Sequence, residues 1–183
     1  MIYGARVRLR SPEQADLPVF VSWLNDPEVR HNLAAYWPMS MAREERWFAE
    51  LANRPVHEHP LVIEIQRADT WMMVGNCGFH HIDWVHRSAE LGIMIGVKEH
   101  WNQGYGTEAM QLLQRIGFET LNLHRLYLRA FERNQAGIRA YEKAGFQFEG
   151  RQRHAHYDEG VYSDVLMMSI LRPEYDALQG STK

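Results

Sequence analysis

The chain carries a single cysteine, Cys77, so no disulfide can form within it. At 183 residues it is long enough to bury a core without such a staple. A lone thiol also suits a reducing compartment. Charge of one sign is not in excess. Lys and Arg total 20 against 23 Asp and Glu, a formal net charge of −3, which disfavours a basic protein that coats nucleic acid. Long apolar runs are missing too. Stretches such as Ile93-Met94-Ile95 are far shorter than a membrane span. The segment from Met1 to Arg10 alternates apolar and basic side chains, where a signal peptide needs an unbroken apolar stretch. A soluble, cytoplasmic protein with no membrane and no nucleic-acid partner is therefore expected. No repeat, low-complexity tract or long linker divides the sequence, so residues 1–183 are expected to form one domain. Tryptophan and histidine are plentiful, with 6 and 10 residues, more than a plain core requires.

Periodicity orders the elements. Val7 and Leu9 alternate with Arg6, Arg8 and Arg10, which reads as a first strand with a solvated basic face. Ser11-Pro12-Glu13-Gln14 reads as a capping box. Leu17, Phe20, Val21 and Leu24 then follow at helical spacing, and Asn25-Asp26-Pro27 ends that helix. Residues 41–52, with Trp47, Phe48 and Leu51, form a second amphipathic helix. Strands are expected at 61–65, 72–79 and 90–97, the last apolar on both faces like a buried central strand. Tyr105, Ala109, Leu112, Leu113 and Ile116 make one helical stripe. A strand at 125–130 precedes a helix capped by Asn134 and stopped by Gly145. Two last strands, 146–151 and 161–171, flank the turn Asp158-Glu159-Gly160. The sum is a mixed α/β domain.

Two segments carry chemistry. Trp101-Asn102-Gln103-Gly104-Tyr105-Gly106-Thr107 lies between the buried strand and an amphipathic helix. Strand, glycine loop and helix N-terminus together aim free N–H groups at a phosphate, and the helix dipole adds to the attraction. A simple tight turn is the alternative. The loop has neither the lysine of a P-loop nor the third glycine of a dinucleotide fold. In the second segment Asn134 and Tyr141 stand two helical turns apart, on nearly one face. An amide and a phenol placed so can grip one ligand; the alternative is that Asn134 caps and Tyr141 packs.

Together these segments resemble the GNAT superfamily of acetyl-CoA-dependent N-acetyltransferases. Gly104 and Gly106 match the later positions of that family's Arg/Gln-x-x-Gly-x-Gly/Ala loop, while Trp101 replaces its first residue and Asn102 a frequent glycine. Asn134, Tyr141, Gly145 and Phe146 match its later Asn-x6-Tyr-x3-Gly-Phe pattern. The stretch from Glu90 to Glu108, Asn122-Leu123 and Glu149-Gly150-Arg151 look like the branch of ribosomal-protein N-terminal and spermidine acetyltransferases. The resemblance implies an α/β (α+β) fold: a mixed, mostly antiparallel sheet of about six or seven strands with about four helices. Splayed central strands would form the acetyl-CoA cleft. It implies acetyl-CoA contacts from Met94, Ile95, Gly96, Trp101, Asn102, Gln103, Gly104, Tyr105, Gly106, Thr107 and Asn134. No metal is implied, and since many relatives dimerise, a homodimer is a further expectation.

Acetyl transfer from a thioester needs a neutral amine, a stabilised oxyanion and a protonated leaving sulfur. By resemblance, backbone N–H groups of residues 93–97 hold the pantetheine arm and polarise the carbonyl. Tyr141 protonates the thiolate; a phenol with pKa about 10 keeps its proton at pH 7. Glu90 is the candidate base, and the alternative for it is a strand-end charge paired with Arg87 or another arginine. His80, His81 and Asp83 lie one strand earlier and are further candidates. Regular pleating puts His80 and His81 on opposite faces, so at most one lines the site. Cys77 reads as a buried small apolar group, which favours direct transfer in a ternary complex over an acyl-enzyme. The acceptor side of this fold comes from the first helices and their loop, here residues 25–47 with Asp26, Glu28, His31, Tyr36 and Trp37. Residues 34–40 hold no acidic cluster of the kind with which spermidine acetyltransferases grip a polyamine. The expected acceptor is a primary amine: a protein N-terminus, a polyamine or another small amine.

Two rival readings remain. One is a non-catalytic acyl-CoA sensor on the same scaffold, against which Tyr141 argues. The other is a metal hydrolase using His80, His81, His86 and Asp83, or His154 and His156, which share a strand face. No H-E-x-x-H motif or cysteine pair supports it.

Overall fold

The structure, a computed structural model, describes residues 1–180. The chain runs β1 (Ile2–Tyr3), β2 (Val7–Arg10), α1 (Leu17–Asn25), α2 (Pro27–Arg30), α3 (Met41–Leu51), β3 (Leu61–Arg67), β4 (Thr70–Asp83), β5 (Ser88–Ile95), α4 (Tyr105–Arg115), β6 (Arg125–Phe131), α5 (Gln135–Lys143), β7 (Gln147–Asp158), β8 (Val161–Leu171) and α6 (Arg172–Gly180). The strands form one sheet in the order β1-β2-β3-β4-β5-β6-β8-β7. Every neighbouring pair is antiparallel except β5–β6. The expected mixed, mostly antiparallel sheet is what forms. Eight strands and six α-helices among the described residues exceed the expected six or seven and four. The additions are β1, α2 and α6. β1 and α2 span two and four residues, too short to show a period. α6 buries Tyr175 alone, too little for an apolar stripe.

Alternation in the strands divides the core. Ala89 and Leu91 of β5 and Leu126, Leu128 and Ala130 of β6 pack with Ala109, Met110 and Leu113 of α4 and Ile138 and Tyr141 of α5. Met94 of β5 belongs to the other face, with Leu17, Phe20 and Trp23 of α1 and Val29 of α2. Trp47 and Phe48 of α3 pack against that second cluster. Thus α4 and α5 cover one face and α1 to α3 the other.

The first helix starts differently from the sequence expectation. The capping box is Glu13 with Asp16, ahead of a short 3-10 turn, not Ser11 with Gln14. The cause is Arg10, which holds both Asp16 carboxylate oxygens at 2.7 and 2.9 Å and leaves one of them to accept the Glu13 N–H at 2.8 Å. Burial raises the Asp16 carboxyl, yet Arg10 and the Glu13 N–H outweigh it and hold it below the ordinary carboxylate value. At the end of α1, Asp26 closes that helix and caps α2 through the Glu28 and Val29 N–H groups.

The solvated basic face expected on β2 is not formed. Arg8 and Arg10 each donate from Nε to the buried Glu64 of β3, at 2.5 and 2.8 Å. Arg6 instead reaches Glu108 of α4 at 3.2 Å. The partners come from β3 and α4, out of reach of a pattern that sees only alternation. Removing one partner of such a pair strands a buried charge, at a cost of about 3–5 kcal/mol. Glu64→Ala is therefore expected to lower stability by that amount, read as a lower urea midpoint at unchanged slope. An unaltered midpoint contradicts the role given to this network. Asp16 adds a pH dependence of fixed sign. Its contribution is present above its unfolded pKa near 4 and fades as pH falls through its lower folded value.

Candidate active site

β5 and β6 pair over three residues only, Ser88, Ala89 and Glu90 against Arg125, Leu126 and Tyr127. β5 continues to Ile95 and β6 to Phe131, so beyond Glu90 the two strands part. The backbone direction along β5 follows from two bonds. The Gly96 N–H donates to the Val74 carbonyl of β4 at 2.8 Å, and the Arg87 carbonyl accepts the His124 N–H ahead of β6 at 2.6 Å. Alternation then turns even-numbered backbone groups toward β4 and odd-numbered ones toward β6. Ile93 and Ile95 therefore face the gap. Met94 and Gly96, expected as backbone contacts, direct their N–H groups into the sheet. Gly96 also lies beneath the Trp23 indole, which a Cβ there would meet at 2.0 Å, and it stands outside the cleft.

The gap opens into a cleft of about 1200 Å3. One end is the loop before α4. Gly104 is the N-cap of α4 at φ +84°, a left-handed conformation that favours glycine, and no side chain caps the helix there. The first N–H groups of α4 consequently have no partner within the helix. Asn102, at φ +60°, Gly104, Tyr105, Gly106 and Thr107 line the cleft. Gln103 does not, because its side chain donates to the Glu99 carbonyl at 2.6 Å and its own carbonyl accepts from Arg6 at 3.2 Å. Trp101 lines the wall, but its indole N–H is spent on the Ile95 carbonyl at 2.8 Å. Its place in the loop is thus one of packing against β5. Arg139 and Lys143 of α5 add positive charge to this face. Sequence reasoning missed both, though the spacing of four residues that aligns them on one helix face was readable.

Asn134 accepts the Gly137 N–H at 3.0 Å and so caps α5. Its side chain lines the cleft all the same, as does Tyr141. Burial pushes the Tyr141 phenol up to about 12, so it stays protonated across the physiological range. Cys77 is buried on β4, and burial pushes its thiol well above its ordinary value. The reading of Cys77 as a small apolar group stands.

The other face of the sheet presents Glu90. Arg129 of β6 donates to it at 2.7 and 3.4 Å, so the arginine that pairs with Glu90 is Arg129. Arg87 is engaged by Asn122 instead. His80 and His81 are both exposed, but His80 lines the cleft beside Glu90, whereas His81, at φ +49°, lies outside it. Further out, Tyr36 lines the cleft, and its hydroxyl meets His156 Nδ1 at 3.2 Å. His156 is buried and stacks on Phe131 with ring centroids 3.8 Å apart. Trp37, expected on the acceptor side, is exposed and does not line the cleft. Asp26 and Glu28 are held by Lys98 at 2.9 and 3.4 Å. The expectation that His154 and His156 share a face fails. β7 bulges between Gln152 and His156, and His154 sits at φ +51°, exposed against Tyr162.

Comparison with known proteins agrees with this geometry. The acetyltransferase (GNAT) domain family matches residues 6–147. The chain is 31% identical to the N-acetyltransferase p20 of Bacillus licheniformis over 176 residues, 95% of this chain and 97% of that protein. It is 30% identical to the spermidine N(1)-acetyltransferase of Vibrio cholerae over 175 residues, 94% of this chain and 96% of that one. The crystal structure of spermidine N-acetyltransferase from Vibrio cholerae in complex with CoA and spermine superposes with a TM-score of 0.83 at 26% identity, covering 94% of this chain and 99% of that one. The chain belongs to the GNAT family, and it is an N-acetyltransferase.

A β-branched residue in the left-handed region costs on the order of 1–3 kcal/mol. Gly104→Val is thus expected to displace the loop and weaken acetyl-CoA binding about tenfold or more, measured by calorimetry. Unchanged affinity contradicts the assignment of this loop.

Proposed function

We propose that this enzyme moves the acetyl group of acetyl-CoA directly to a primary amine within a ternary complex. The observation that carries the reading is the parting of β5 from β6, with uncapped N–H groups and Tyr141 on one face and Glu90 on the other. The uncapped start of α4, with Arg139 and Lys143 nearby, suits the phosphates. Ile93 and Ile95 suit the pantetheine amides, which add to β5 as a further strand would. Met94 and Asn134 line the same cleft. The thioester supplies the activated acetyl group. Backbone N–H groups of β5 polarise its carbonyl.

Tyr141 gives its proton to the departing sulfur. Burial raises the phenol, but it raises a thiolate at the same spot for the same reason, because both are anions when deprotonated. The proton transfer therefore stays close to balanced. Glu90, held by Arg129, lies where the amine arrives. The buried, protonated thiol of Cys77 disfavours an acyl-enzyme. The acceptor is a protein N-terminus, a polyamine or another small amine, and the reading places the enzyme in the cytoplasm, where acetyl-CoA is made and used.

The test is acetyl-CoA consumption across spermidine, amino acids, aminoglycosides, glucosamine and peptides with free N-termini. At least one is expected to turn over, and binding of acetyl-CoA without turnover of any would favour an acyl-CoA sensor instead. Tyr141→Phe is expected to lower kcat by about 100-fold with little change in acetyl-CoA affinity. Full turnover in that variant removes its role as acid.

A further inference from the structure

The antiparallel register of β4 and β5 sets His80 directly opposite Glu90. Glu90 is the last residue of β5 paired with β6, so His80 stands beside the point where the strands part. Its imidazole leans along β5 over Gly92. A Cβ at Gly92 would lie 2.7 Å from His80 Nε2 and 3.0 Å from Cδ2. Gly92 is not left-handed, so glycine here supplies room for the ring and not a special backbone angle. Among the described residues no hydrogen bond or ion pair takes up the His80 imidazole, and the ring lines the cleft. Glu90 differs: Arg129 occupies both of its carboxylate oxygens.

Resting on the acetyltransferase reading above, we propose that His80 Nε2 accepts the proton of the attacking amine, while Glu90 acts through its charge. The two side chains divide the work of one acidic group. His80 is open to solvent through the cleft, yet partial desolvation of its ring by the surrounding protein lowers its proton affinity below the ordinary imidazole value, and Glu90 opposes this. His81 on its own strand and Arg129 on β6 add to the lowering. The imidazole is then neutral at pH 7, with a lone pair to offer. The order of events follows. The neutral amine attacks the carbonyl carbon, and the nitrogen becomes positively charged and acidic as the C–N bond forms. Its proton passes to His80 Nε2, the C–S bond breaks, and the sulfur takes the Tyr141 proton. The imidazolium then returns a proton to solvent, and the phenolate takes one.

The test uses the full chain with acetyl-CoA and whichever amine of the panel above turns over fastest. Wild-type kcat/KM should fall on the acid side with a midpoint below 6.5, the ordinary imidazole value. His80→Gln is expected to lower kcat at pH 7 about tenfold or more and to abolish that acid limb, with acetyl-CoA affinity unchanged. Added imidazole should restore part of the rate to His80→Ala. A second readout needs no acceptor: the His80 Cε1–H NMR signal, assigned through His80→Gln, should titrate below 6.5 and shift when acetyl-CoA binds. A retained acid limb and full kcat in His80→Gln overturn the proposal, as does loss of that limb in Glu90→Gln alone. Wild-type protein that binds no acetyl-CoA overturns the acetyltransferase reading itself, a different failure.

Discussion

Three residue pairs between β5 and β6 are the constraint on which the site depends. Longer pairing would close the sheet and consume the backbone of Ile93 and Ile95. Without any, α4 and β6 would not be returned to the same sheet. A parallel step needs a crossover helix, and α4 is that helix. Its N-terminus therefore stands at the end of β5, where its unpaired N–H groups face the strand edge that parting leaves open. In the proposed reading, phosphate end and thioester end are thus fixed by one topological fact.

Charge is distributed to match. On the acceptor face the carboxylates are paired: Glu90 with Arg129, Asp158 with Arg133, and Asp26 with Lys98. On the other face Arg139 and Lys143 line the cleft, and no ion pair takes them up among the described residues. One side of the gap thus favours a polyanion. The other holds fixed, nearly neutral pairs and two rings, Tyr36 and Phe131, around the buried His156. A flexible polycation would find few unpaired carboxylates there, in agreement with the absence of an acidic cluster in residues 34–40.

Much of this was legible in the sequence. The apolar run 93–95 marked a central strand, the Gly104 loop marked the start of α4, and Asn134 with Tyr141 marked α5. These are local signals in which residue type and spacing carry the physics. What escaped is long-range or irregular. Arg6, Arg8 and Arg10 read as a solvated face because Glu64, Asp16 and Glu108 meet them only in the fold. Arg129 looked like one charge of an alternating strand until β5 was laid beside it. Left-handed residues at His81 and His154 broke the alternation that would have placed neighbouring histidines. Gly96 read as a backbone contact to acetyl-CoA, and only Trp23 lying across it shows otherwise. Of the ten histidines, His80, His100 and His156 gain places in the cleft that composition alone did not assign.

The central claim is that the free edge of β5 receives the acyl carrier as a missing strand. Residue-resolved amide hydrogen exchange, with and without acetyl-CoA, tests this most directly. The Ile93 and Ile95 amides should exchange at least about tenfold more slowly when acetyl-CoA is bound, while Met94, already bonded to β4, changes little. Equal rates for Ile93 and Ile95 in the two states would contradict the account.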